Sequence, residues 1–291
     1  MDAKELLKKV RRIEIKTRGL SNNIFAGEYH SAFKGRGMTF SEVREYQYGD
    51  DIRDIDWNVT ARHNRPYVKV YEEERELTVM LLIDVSNSRL FGALGEEKRE
   101  MIAEIAATIA FSAIHNNDKV GVIFFSDKIE KFIPPKKGKK HILAIISQLL
   151  DFEPEHKGTD IAVALSYFTD ALKKRCTTML ISDFIDPHDY SRALTIAAGK
   201  HDIIAMQVYD KRDAQLPDVG LMRVGDLETG KEQWIDTSSK ATRNAYNKWW
   251  YNRQQAMVET FRRNGVDLAS VATDEDYVKT LIALFKRRGV K

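Results

Sequence analysis

Residues 77–84, LTVMLLID, form a continuous apolar run that ends in a carboxylate. A strand with one wet face alternates apolar and polar side chains, so an unbroken run belongs in the middle of a sheet covered on both faces. Two further runs share this texture, KVGVIFFS (119–126) and TTMLISDF (177–184), the latter again reaching an aspartate. Helical patterns separate them. GEEKREMIAEIAATIAFSAIHNN (95–117) sets Ile102, Ile105, Ala106, Ile109 and Ala110 on one inner face. KKHILAIISQLLDF (139–152), DIAVALSYFTDALKKRC (160–176, with Thr159 as N-cap) and SRALTIAAGK (191–200) follow as helices. HDIIAMQVYD (201–210) and VDLASVAT (266–273) read as strands, and KIEKFIPP (128–135) as a short one stopped by prolines that cannot donate to a ladder. LMRVGDLETGKEQWID (221–236) suggests an edge hairpin, the helix over 241–265 ends on Gly265, and a helix with basic final turns closes the chain. Strands alternating with helices predict an α/β fold over 77–291, Rossmann-like, with a mainly parallel central sheet and helices on both faces.

The remaining 1–76 read as an N-terminal extension. DAKELLKKVRR (2–12) has the stripe Leu6, Leu7, Val10 of a packed surface helix, whereas 13–76 are short on helical periodicity and rich in Gly, aromatics and charge. Trp57 and the many Tyr and Phe residues imply order, and YVKVY (67–71) alternates like a strand. Arg44, Arg53 and Arg62 stand against Asp50, Asp51, Asp54 and Asp56, which predicts an ion-pair lattice with Trp57 as its apolar anchor. The D-D-x-x-D spelled by Asp50–Asp54 resembles a diphosphate-binding motif, but Gly49 and its flanks point to a loop.

Composition excludes several classes. With 43% hydrophobic and 31% charged residues the chain can bury a sizeable core, and a net charge of +3 gives no global pull towards nucleic acid or an anionic membrane. The single cysteine, Cys176, precludes an internal disulfide framework and reads as a buried small hydrophobe. No apolar run reaches the roughly 18–20 residues of a membrane span, and the start lacks a signal-peptide core, so a soluble cytoplasmic protein without direct membrane insertion is expected. The basic run Lys136–Lys140 reads as a solvated turn, and nucleophile-elbow and P-loop patterns are missing. His115, His141 and His201 read as helix-end or surface residues. Trp249, Trp250 and Tyr251 cannot all face inward on one helix, which leaves an aromatic for docking.

In an open parallel sheet, ligands bind outside the carboxyl ends of the strands. Asp84 and Asp183 occupy that position. Ser86 and Ser88 follow Asp84 at spacings of two, and Thr159 follows Gly158 in a loop leading into a helix. Each has a plainer role: a turn carboxylate, a cap, a turn hydroxyl. Their conjunction on three loops makes an all-oxygen set suited to a hard cation, Mg²⁺ most naturally. With few anionic ligands such an ion stays under-neutralised, so a carboxylate from another protein could complete its shell. A metal-assisted phosphohydrolase using Asp84 is the alternative, although such enzymes usually place a second carboxylate where Ser86 stands.

The order Asp84-x-Ser86-x-Ser88, then Thr159, then Asp183 resembles the metal-ion-dependent adhesion site of von Willebrand factor type A (vWA) domains. That resemblance implies Mg²⁺ or Mn²⁺ held by these five residues, with an acidic side chain of a protein partner as sixth ligand. The segment 35–76 closely resembles the hallmark of the bacterial and archaeal family called domain of unknown function 58, in which it precedes a type A domain. Its Arg44…Tyr46…Gly49-Asp50-Asp51…Arg53…Ile55-Asp56-Trp57…Ala61-Arg62 part is intact; in Gly35-Arg36-Gly37-Met38-Thr39-Phe40, Thr39 replaces the acidic residue of the family pattern. The resemblance implies a non-enzymatic accessory or adaptor protein that works with a MoxR-type AAA+ ATPase in complex assembly or maturation.

Overall fold

Helix α1 (Ala3–Leu20) extends well past Arg12 because Val10, Ile13 and Thr17 continue one buried stripe at helical spacing. Leu7, expected on the inner face, is instead 67% exposed. The computed structural model describes residues 3–20, 38–73, 77–86, 95–156, 158–225 and 232–289. These divide into a larger unit, which takes in α1 and everything from Thr78 onward, and a smaller unit, Lys34–Leu77. The segment expected as one extension is therefore divided between the two.

In the smaller unit, β1 (Met38–Glu45) pairs antiparallel with β2 (Tyr67–Glu73) across a bulge at Phe40/Glu42. Between them Asp56 caps α2 (Trp57–His63) by accepting from the Asn58 and Val59 amides, and Asn64 ends it in the left-handed region at φ 53°. The expected arginine pairs that form here are local in sequence. Arg44 grips Asp50 with both terminal nitrogens at 2.8 and 2.7 Å, Arg53 folds onto Asp51, and Lys69 lies 3.6 Å from Asp56. The first two D-D-x-x-D carboxylates thus shape a turn, Asp50 accepting the Gln47 amide and Asp51 the Arg53 amide. Trp57 is 67% exposed and so is no buried anchor; among the described residues of this unit the buried apolar side chain is Val68.

The larger unit is built on β3 (Thr78–Asp84), whose residues Val79–Ile83 are fully buried. In chain order come α3 (Gly95–His115), β4 (Lys119–Phe125), β5 (Ile129–Lys136), α4 (Lys139–Asp151), α5 (Ile161–Ala171), β6 (Thr177–Ser182), α6 (Ser191–Lys200) and β7 (Asp202–Tyr209). Then follow α7 (Lys211–Ala214), β8 (Leu221–Gly225), β9 (Glu232–Asp236), α8 (Lys240–Arg263), β10 (Asp267–Ala272) and α9 (Tyr277–Gly289). The six-stranded sheet has the order β10-β7-β6-β3-β4-β5 and is parallel except for β5. Its prolines, Pro134 and Pro135, sit on that antiparallel edge strand, where a missing donor costs least. Met80 and Leu82 pack with Ile161, Phe168 and Phe261 on one face, and strand alternation turns Leu81 and Ile83 to the other. Fully burying one such aliphatic side chain contributes roughly 1.5–3 kcal/mol.

Helix α1 is tied to α3 by Lys9 and Arg12 on Glu100 and by Lys16 on Glu104, and to α4 by Lys139 on Glu14. The hairpin β8–β9 pairs within itself as a separate two-stranded sheet. Two local expectations change. Asp160, not Thr159, caps α5 by accepting from the Val163 amide, and α5 stops at Ala171 because Leu172 is already extended. His201 does follow the end of α6 but is buried, 1% exposed, against the Phe168 ring and 3.3 Å from Cys176 Sγ. Cys176 is buried as expected, and burial pushes its thiol up to about 11. On α8 Trp250 faces inward while Trp249 and Tyr251 are exposed. Among the described residues, no helix is long and apolar enough to cross a membrane.

Candidate metal centre

Parallel pairing brings the carboxyl ends of β4, β3 and β6 side by side, so the loops that leave them share one rim. Asp84 ends β3 and is 2% exposed. One of its oxygens accepts the Ser86 amide at 2.9 Å, a tight turn that also directs the Ser86 hydroxyl onto the carboxylate. The other accepts the Ser182 hydroxyl at 2.6 Å, across from the neighbouring strand β6. Ser86 is likewise buried.

Asp183 follows β6 directly. Its loop is shaped by Phe184, a non-glycine residue at φ 58° whose ring packs edge-on against Phe261 at 4.9 Å. A left-handed conformation costs such a residue energy and persists where surrounding contacts over-determine it. Those contacts are on hand: Ser182 Oγ accepts the Phe184 amide, and Arg253 of α8 donates to the carbonyls of Phe184 and Asp186. The Gln207 side-chain amide of β7 holds the Asp183 carbonyl at 3.2 Å.

Thr159 is fully buried on the loop before α5. The next residue donates its amide to the Ser126 carbonyl, just beyond β4, which sets Thr159 on the β4 side of the rim. His188 Nδ1, 3.2 Å from the Thr159 carbonyl and 3.0 Å from Asp186 Oδ1, ties this loop to the one that carries Asp183. Asp186 in turn accepts the Ile161 amide at 2.7 Å. Of the five residues expected at the site, the structure brings Asp84, Ser86 and Asp183 into one cluster and puts Thr159 on the adjoining loop. Ser88 lies outside the described residues.

Two participants were missed in the sequence. Lys98, 5% exposed, reaches from the first turn of α3 and puts its ammonium 2.7 Å from Asp183 Oδ2. It sits four residues before Ile102 and so on the apolar stripe of the helix, a signal that a lysine there points inward. Asp213 on α7 also faces this ammonium; nothing local to its polar turn announces it, and it arrives only because β7 lies beside β6. Burial acts to lower the Lys98 pKa, but Asp183 above all, then Asp213 and Asp84, hold it above its ordinary value, so the side chain stays charged. Burial, and next the repulsion of Asp183, push the Asp84 carboxyl up, with Ser182 and Ser86 pulling it back. Asp213 is raised chiefly by burial.

The expected donors fit a hard divalent ion: among the described residues, Asp84, Ser86, Thr159 and Asp183 offer carboxylate and hydroxyl oxygens.

A family model described as "Protein of unknown function DUF58" matches residues 42–256. An uncharacterized protein of Mycobacterium tuberculosis is 30% identical over 295 residues, covering 99% of this chain and 92% of the relative. Among solved structures, the conserved hypothetical protein BatB of Bacteroides thetaiotaomicron aligns with 74% of this chain and 100% of its own at 17% identity, TM-score 0.44. A von Willebrand factor type A protein of Catenulispora acidiphila aligns with 77% of this chain and 43% of its own at 10% identity, TM-score 0.38.

Proposed function

This chain belongs to the DUF58 family, and from that premise we propose that its larger unit is a non-enzymatic, metal-dependent protein-interaction module. The observation that carries the reading is the set of carboxylate and hydroxyl oxygens gathered at the strand ends, with Asp84 held by Ser86 and Ser182 beside the neighbouring Asp183. Asp84, Ser86, Thr159 and Asp183 would hold Mg²⁺ or Mn²⁺, joined by Ser88 from the same loop as Asp84. The bound ion would supply a coordination position for an acidic side chain of a protein partner, and the family resemblance points to a MoxR-type AAA+ ATPase system as the setting.

The chain's own residues supply rigidity. Both Asp84 oxygens are oriented by hydrogen bonds, and the Asp183 loop is pinned from β7 and α8. A carboxylate nucleophile must be open to attack a phosphorus centre. Asp84 is buried with both oxygens engaged, which favours a ligand over a nucleophile. The test is calorimetric titration of MgCl₂ or MnCl₂ into the wild type and Asp84→Ala. Binding by the wild type that vanishes in the variant supports the site; equal binding in both refutes it. Capture of the ATPase should in turn be lost with a chelator.

A further inference from the structure

We propose that Lys98 is a resident counter-cation that competes with the divalent ion for Asp183 and thereby sets the metal affinity of the centre. The inference rests on the metal-centre reading above and names how that centre is regulated.

Lysine is among the residues least often buried unless paired, yet the Lys98 side chain is 7% exposed and that of its partner Asp183 1%. The pair is held from two separate elements, the first turn of α3 and the loop after β6, 85 residues apart in the chain. Removing one member of a buried pair leaves the other as an uncompensated charge, which is strongly unfavourable. Lys98 therefore lets the cluster exist without metal. A divalent ion bound to the same carboxylate would face a positive charge within a few ångström in a poorly solvated site, where like charges are screened weakly. Either the ammonium withdraws from Asp183, or the ion binds beside it at reduced affinity.

A flexible four-carbon stem suits such an exchange, because the ammonium can leave without moving the helix backbone. The remaining balance gives the exchange a direction. Asp84 and Asp213 also lie close enough to Lys98 to act on it, so among the described residues this ammonium is shared by more than one carboxyl group. A partner's carboxylate would bring negative charge to the ion and favour the doubly charged ion over the lysine, so metal and partner would load together.

The experiment titrates MgCl₂ and MnCl₂ into the full chain as wild type, Lys98→Met, Lys98→Arg and Lys98→Met/Asp84→Ala, and records thermal melts of each in chelator and in saturating Mg²⁺. Lys98→Met should bind the ion at least tenfold more tightly, Lys98→Arg like the wild type, and the double variant not at all. In chelator Lys98→Met should melt below the wild type, with the deficit removed by Mg²⁺. Equal affinity in wild type and Lys98→Met overturns the competition while leaving the metal centre standing. If neither binds, the metal reading itself fails and this inference with it. A Lys98→Met protein as stable as the wild type in chelator removes the counter-cation role whatever the titrations show. Should Lys98→Met not fold, Lys98→Gln keeps the neutral arm, and a Lys98→Gln protein that binds no tighter than Lys98→Arg also refutes the proposal.

Discussion

His201 offers a sharp test of how the larger unit is packed. Its ring lies 4.4 Å from the Phe168 ring, Nδ1 is 3.3 Å from Cys176 Sγ, and Nε2 is buried with no hydrogen-bond partner among the described residues. Burial first, then the neighbouring cations Lys200 and Arg175, depress its pKa from 6.5 to about 4. Because the unfolded chain binds this proton more readily, stability falls as pH drops below 6.5 and continues to fall down to about 4. Two-state linkage between those two values gives a loss of about 2 kcal/mol by pH 5 and about 3 kcal/mol by pH 4. That is a large share of the roughly 5–15 kcal/mol that holds a typical domain together. The perturbation is His201→Phe, which keeps an aromatic ring against Phe168 and removes the titration. Urea unfolding of both proteins from pH 7.5 to 4 isolates the effect, since carboxylates elsewhere titrate equally in the two. The wild type should lose about 3 kcal/mol more than the variant over this range. Parallel curves, or an imidazole proton resonance that titrates near 6.5, would refute the assignment of His201 as a neutral buried group.

Two further outcomes follow from close packing and capping. Gly121 lies where the β4–β5 register shifts, and a Cβ there would meet Met80 Sδ at 2.6 Å, the Pro135 nitrogen at 2.9 Å and the Ile133 carbonyl at 3.0 Å. Gly121→Ala should therefore destabilise by about 1–3 kcal/mol in denaturant titration, because two of these neighbours are backbone; a neutral effect would mean that β5 yields freely. Asp160→Ala removes the cap of α5 and should cost about 0.5–2 kcal/mol. Since Asp160 adjoins Thr159, the same variant should also weaken Mg²⁺ binding measured by calorimetry, and a stability loss with unchanged binding would separate the cap from the site.

The strands were legible because burial on both faces leaves an unmistakable mark. LTVMLLID and TTMLISDF have no polar alternation to offer solvent, and both became central strands. Helix ends were less legible. Thr159 and Asp160 are both good caps, and the choice between them turns on which side chain reaches the Val163 amide, a matter of one residue's backbone angles. Trp57 shows the opposite error. A tryptophan in a charged segment reads as an anchor, but burial depends on what covers it, and it stands 67% exposed.

By itself the sequence determined the alternation of strand and helix, the two aspartates at strand ends and the hydroxyl spacing after the first. All of these are local patterns written in neighbouring residues. Tertiary structure alone decided the company those aspartates keep. Asp84 meets Ser182 because β6 pairs beside β3, and Asp183 meets Lys98 because α3 lays its first turn over the sheet end. The place of Lys98 on the apolar stripe of its helix signals an inward side chain, but only the fold supplies the carboxylate it meets and removes its water. Here the fold did so, and a side chain ordinarily spent on solubility became the cation at the centre of the site.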